Sequence, residues 1–220
     1  MTTRQRQSET KQTKNKNAMN KIYQKAARGE WVSTTDLATL VRGALKRAFP
    51  TVKFSVKSRR GSISVAYTDG PSRESVRAIT GQFVTAGFDG TIDLAFSSSL
   101  WLYSDGSASH AYSSGTDGSN GCYPETIGSP ERPDAVLCSL VAATYINVLR
   151  DVSAGLGERA LASLKEKHPQ IADTSLHHRE LLGKAFFRVN NDRWVEELRT
   201  WVSCAVSEEA ERIADEEFAA

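Results

Sequence analysis

Apolar residues from Leu37 to Phe49 follow one helical stripe: Leu37, Leu40, Val41, Ala44, Leu45, Ala48 and Phe49 recur at three- and four-residue spacing. Ser33, Thr34 or Thr35 can cap this helix, Asp36 suits its positive end, and Pro50 ends it. Arg42, Lys46 and Arg47 fall off the stripe. The period then changes to two. Residues 52–57 and 62–68 alternate apolar with polar or small side chains, which predicts two strands with one buried and one wet face. Ser58-Arg59-Arg60-Gly61 joins them as a hairpin. Asp69-Gly70-Pro71-Ser72 turns the chain into a second helix through Val76, Ile79, Thr80 and Phe83, which is expected to stop near Gly87. Thr91–Phe96 predicts a third strand.

From residue 97 to 121 the periodicity fails. Thirteen of these 25 residues are Gly or Ser, yet Leu100, Trp101, Leu102, Tyr103, His110 and Tyr112 are embedded among them. Large side chains at such density predict an extended hairpin laid on a core, turning at Asp105-Gly106. Beyond Pro133 the spacing reads as helix over 134–151, 156–167 and 175–187. A long last helix is expected from about Asn191 to Phe218, with the stripe Trp194, Leu198, Trp201, Val202, Ala205 and Ile213. Residues 1–18 are nearly devoid of apolar side chains and are expected to be disordered. A short helix over Met19–Arg28 stops at Gly29. The expected fold class is α+β. A small antiparallel sheet with flanking helices (α-β-β-α-β) occupies residues 19–128, and a mainly helical region, 129–220, packs on it.

Composition narrows the function classes. At 220 residues the chain can bury its own core. It has no apolar run of about 18 residues that would cross a membrane, and its basic start lacks the apolar stretch of a secretory signal. Three scattered cysteines (Cys122, Cys138, Cys204) supply neither a disulfide framework nor a structural zinc site, which fits an intracellular, reducing compartment. Net charge is only +2, but its distribution is uneven. Residues 1–60 carry 15 Lys/Arg against three acids (Glu9, Glu30, Asp36), a net of +12, and the rest of the chain carries −10. A basic first quarter points toward nucleic acid. The residues placed to contact phosphates are Arg42, Lys46, Arg47, Lys53, Lys57, Arg59 and Arg60. The wet sheet face carries no aromatics, so binding is expected to be to backbone rather than by stacking.

Other chemistry is weaker. Four Asp-Gly pairs begin at Asp69, Asp89, Asp105 and Asp117, and turn geometry accounts for all four. A metal-dependent enzyme would gather Asp69, Asp89 and Asp93 around a magnesium ion. His168, His177 and His178 lack the spacing to share an ion. Cys138 sits among apolar residues and is expected in the core, and Cys122 has no identifiable base. No phosphate-binding glycine loop and no nucleophile elbow occur. No catalytic residue and no cofactor are therefore expected. The other partner reading is a protein-binding inhibitor that docks on an enzyme through the acidic last helix or the aromatic loop (Trp101, Tyr103, Tyr112). Trp194 and Trp201 either pack internally or form a homodimer.

Residues 33–95 also resemble a known family, the large polyvalent protein-associated domain numbered twenty-nine. The resemblance lies in Leu45-Lys46-Arg47-Ala48-Phe49-Pro50, Val52-Lys53-Phe54-Ser55-Val56, Ser62-Ile63-Ser64-Val65, Thr68-Asp69-Gly70-Pro71, and Phe88-Asp89-Gly90 with Ile92-Asp93. Tyr67 stands where that family usually has Trp. The resemblance implies a phage or mobile-element accessory protein in the cytoplasm of a bacterial host. It would accompany incoming DNA or counteract host defence, with nucleic acid or a host nucleoprotein complex as its partner. It supplies no catalytic residues to carry over.

Overall fold

The computed structural model describes residues 16–89, 93–111, 130, 132–181 and 184–219. The chain forms two compact units. The first runs up to Val65 and again from Arg77 to Asn147, and the second comprises Ala66–Val76 and the chain from Val148 onward. The fold class is α+β, as the alternating periods predict.

In the first unit, helix α1 spans 16–27 and ends at Gly29, whose φ of +68° a side-chain-bearing residue adopts only with strain. Residues 16–18, expected in a disordered tail, are helical. Ala18 and Met19 are half-buried, and Met19 packs so closely on Gly106 that a Cβ there would lie 2.9 Å from its sulfur. Helix α2 (Thr34–Ala48) has the expected cap. Asp36 N–H donates to the Ser33 hydroxyl at 3.2 Å, and Ser33 N–H donates back to the Asp36 carboxylate at 2.9 Å. Its stripe buries Leu37, Leu40, Val41 and Leu45 almost completely. Each such side chain stabilises the fold by roughly 1.5–3 kcal/mol relative to an exposed one.

Strand β1 (Ser55–Arg59) begins three residues later than the alternation suggested, and β2 (Ser62–Thr68) lies where expected. The turn between them depends on Gly61 at φ +67°. Helix α3 (Arg73–Gly81) is capped by the Ser72 hydroxyl, which accepts from Ser75 N–H at 3.2 Å. It stops at Gly81 rather than near Gly87, because residues 86–89 form strand β3 (Ala86–Asp89), paired antiparallel with β4 (Leu94–Ser97). The Gly/Ser-rich stretch forms the expected hairpin of β5 (Ser99–Leu102) and β6 (Ala108–Ala111), with Gly106 at φ +80° in its turn.

Three stretches expected as helix are not. Within 134–151, β7 (Val136–Cys138) pairs antiparallel with β5, and β8 (Tyr145–Asp151) joins a sheet in the order β1-β2-β8. Tyr145 N–H donates to Gly61 O at 2.9 Å and Asp69 N–H to Asp151 O at 2.8 Å, so β8 runs parallel to β2. The spacing of Val141, Thr144, Tyr145 and Val148 fits a helix. However, the run is rich in β-branched residues, and Val148 and Arg150 are buried while Tyr145, Asn147 and Leu149 are exposed, a period of two.

In the second unit, α4 (Ala154–Lys167) matches its expectation, with Ser153 as cap. The stretch 175–187 instead forms β9 (Ser175–Leu181) and β10 (Lys184–Asn190), in register from Leu181↔Lys184 to Ser175↔Asn190. Helix α5 (Val202–Ala219) begins eleven residues later than expected. Asn191 and Arg199 adopt φ of +57° and +50°, which breaks any helix there. Around Arg199, β11 (Trp194–Val195) and β12 (Thr200–Trp201) pair antiparallel and set the two tryptophans opposite each other. The core of this unit packs Leu156, Leu161 and Leu164 of α4 with Val189, Val195, Val202 and Val206. At Gly157 a Cβ would lie 3.2 Å from Leu176 and 3.3 Å from Phe187, so glycine sets the approach of α4 to the β9–β10 hairpin.

Candidate nucleic-acid interface

The basic residues singled out by the sequence lie on two packed elements of the first unit, α2 and the β1–β2 hairpin. Arg42 ties them together: its Nη2 donates to the Val56 carbonyl at 2.7 Å. The Phe49 and Phe54 rings, with centroids 6.1 Å apart, pack at the C-terminal end of α2. In β1 the buried Val56 alternates with exposed Ser55, Lys57 and Arg59. Arg60 lies in the turn and Lys53 just before the strand, both exposed. On α2, Arg42 and Lys46 stand four residues apart on one face.

The decisive feature is pairing. Among the described residues, Lys46, Lys53, Lys57, Arg59 and Arg60 form no ion pair or side-chain hydrogen bond. Lys25 is held by Asp36 at 2.8 Å and Arg28 by Glu30 at 2.5 Å. Both acids in residues 16–60 are thus used at α1 and at the start of α2. Partial burial acts to raise the Asp36 carboxyl, but Lys25 and Ser33 outweigh it and leave it lower than usual. Among the described residues no carboxylate pairs with the hairpin cations.

Arg47 has a different setting. Its Nη1 donates to the Asp105 carbonyl at 2.8 Å and approaches the Met19 sulfur at 3.7 Å. With Lys16, Met19, Lys46, Pro50 and Asp105 it lines a groove of about 520 Å³ between α1, the end of α2 and the β5–β6 turn. That turn is rigidly held. Arg132 makes a two-pronged pair with Asp134 at 3.0 and 2.8 Å, bonds Asp105 at 2.9 Å, and lies over the Tyr103 ring at 4.5 Å. Burial acts to raise the Asp105 carboxyl, but Ser107 and the Arg132 guanidinium outweigh it and hold it at about 2. Sequence reading missed this groove. Lys16 belongs to a stretch with almost no apolar side chains, and Arg132 lies 27 residues from the turn it clamps.

The aromatic-loop residues separate. Tyr103 is 4% exposed, and its hydroxyl shares a 2.7 Å hydrogen bond with Ser109, so it is a packing residue and not a contact surface. Trp101 is half-buried at the centre of β5, between Ser109 and Leu137. Tyr112 lies outside the described residues.

The three aspartates of the metal reading lie in different settings. Asp69, at φ +54°, accepts Ser153 N–H at 2.7 Å and thereby fixes the start of α4. Asp89 pairs with Leu94 along β3–β4, and Asp93 is exposed at φ +51° in a turn rather than inside a strand. No group of His, Cys, Asp or Glu that could hold a metal ion occurs among the described residues. His178 is paired with Glu158 at 2.8 Å. Cys138 is buried, as expected, and Cys122 lies outside the described residues. Among the described residues no helix is long and apolar enough to cross a membrane.

The first unit thus carries a helix–hairpin surface whose exposed cations have no carboxylate partner among the described residues. Residues 32–119, under half of the chain, match the family model of Large polyvalent protein associated domain 29. The match extends the resemblance seen over 33–95, and it supports a phage or mobile-element association. No curated protein and no solved structure matches the chain.

Proposed function

We propose that the protein is a non-enzymatic accessory protein of a phage or mobile element that binds nucleic-acid backbone, naked or within a host nucleoprotein complex, through α2 and the β1–β2 hairpin. It would accompany incoming DNA or counteract host defence. The observation that carries this reading is the set of five cations without carboxylate partners, Lys46, Lys53, Lys57, Arg59 and Arg60, on two elements joined by Arg42. Unpaired lysines and arginines that project from a hairpin cost little to desolvate partially. Each phosphate they neutralise releases condensed counterions, so affinity comes largely from charge and falls with salt. The surface offers no aromatic platform, so contacts position the backbone without reading sequence.

The test is binding of labelled duplex and single-stranded DNA and RNA at several salt concentrations, with the full chain and a version lacking residues 1–15. The folded surface predicts binding that survives truncation, with a log–log salt slope shallower by about 0.9 for each duplex phosphate contact removed. Changing Lys53, Lys57, Arg59 and Arg60 together to Glu should abolish it. Affinity and slope unchanged by those substitutions would overturn the proposal.

A further inference from the structure

The groove beside Arg47 has a chemistry that the hairpin lacks. Its volume of about 520 Å³ lies within the usual range of small-ligand sites, roughly 300–1,000 Å³. Its wall is largely apolar, formed by Met19, Pro50 and the side-chain stems of Lys46 and Arg47. Its rim carries Lys16, Lys46 and Arg47, and its one carboxylate, Asp105, is already bonded by Arg132 and Ser107. The field in the groove is therefore positive over an apolar floor. The Arg47 guanidinium is pinned by the Asp105 carbonyl and the Met19 sulfur, which gives it a fixed plane.

An apolar slot with a cationic rim and a fixed guanidinium plane complements a phosphate joined to a flat, weakly polar ring. We propose that this groove seats one nucleotide unit of a single strand, its base against Met19, Pro50 and Arg47 and its phosphate toward Lys16 and Lys46. Guanidinium planes stack on unstacked bases, and only single strands present a base free to enter such a slot. This inference rests on the nucleic-acid reading above and adds a preference for single strands that the hairpin surface alone does not produce.

The experiment compares a five-nucleotide single-stranded DNA with an abasic strand of equal length and charge, both titrated into the full-length protein. The base-bearing strand should bind about tenfold more tightly, the size of one base-stacking contribution. Asn20→Trp, which places an indole on the groove lining and leaves every cation in place, should bring the two affinities together while duplex binding is unchanged. If that variant also loses duplex binding, Met19→Ala supplies the second reading and should narrow the gap several-fold. Equal affinity for the two strands in the unaltered protein would overturn the inference while leaving backbone binding intact. A gap that both folded variants preserve would do the same. Loss of all nucleic-acid binding in the unaltered protein would overturn the groove and the hairpin proposals together.

Discussion

The ion-pair network of the second unit contrasts with the α2–hairpin face of the first. In the second unit Arg150 is fully buried. It gives Nε to the Asp69 carbonyl and Nη2 to the Gly70 and Ala210 carbonyls, and it pairs with Glu211 at 3.1 Å. Arg212 and Lys167 converge on Glu209, Arg159 pairs with Glu217, and Arg193 with Asp173. In the first unit Lys46, Lys53, Lys57, Arg59 and Arg60 are exposed and have no carboxylate partner among the described residues, and the paired network around Arg132 holds a turn. A basic residue satisfied by a carboxylate works for the fold, and one left without a carboxylate is available to another molecule. The first kind should change stability when altered, the second only binding.

The largest effect should come from Arg150→Met. Its removal leaves the Asp69, Gly70 and Ala210 carbonyls without that donor and Glu211, which keeps the bond from Arg73 N–H, without its ion-pair partner, and about 3 kcal/mol of stability should be lost, measured by denaturant unfolding. A loss below about 0.5 kcal/mol, the scale of an ordinary surface change, would break the contrast from the structural side. Next, Gly157→Val should cost about 1–3 kcal/mol by forcing α4 off Leu176 and Phe187.

Smaller effects come from pH. The carboxyls of Asp105 and Glu209 are held below their usual values. For Glu209 the Arg212 guanidinium is the main cause, then Lys167 and Ser163, against partial burial. A depressed carboxyl contributes stability that is full above its unfolded value and lost as pH falls through the folded one. For Asp105 the window is about pH 4 down to about 2. Melting temperatures in that window should fall less steeply in Asp105→Asn than in the unaltered protein. The opposite sign holds for Cys138, whose thiol burial, aided by Asp36, pushes up from 9.0 to about 11. Its contribution is full below 9.0 and lost as pH rises toward 11, so Cys138→Ala should flatten the alkaline side of the stability profile.

The smallest effect on stability should be that of the fourfold Lys53, Lys57, Arg59 and Arg60 to Glu variant, within about 0.5 kcal/mol per position. That variant is also the one expected to lose nucleic-acid binding. A large fall in its unfolding midpoint would show that these charges serve the fold after all, and the distinction between the two regions would fail.

Local chemistry made much of the first unit legible. The Ser33–Asp36 cap, the stripe of α2, the stop at Pro50, the hairpin glycine and the Asp105-Gly106 turn each act within a few residues, so the chain carries them wherever it folds. The basic residues were legible for the same reason, since their excess over acids is a count. The groove was not, because it needs Lys16, Arg47 and Asp105 to meet from three elements, and Arg132 to occupy the carboxylate.

What the sequence determined by itself is the fold class, the caps and turns, and which segment is positively charged. What only the tertiary structure decided is which periods are strands. Val136–Cys138 and Tyr145–Asp151 become strands because β5 and β2 offer them unpaired edges, and the backbone bonds made there outweigh a helical spacing that had no partner face to bury. The same holds for charge: the number of cations follows from composition, but whether each one is paired depends on which carboxylates the fold brings within 4 Å.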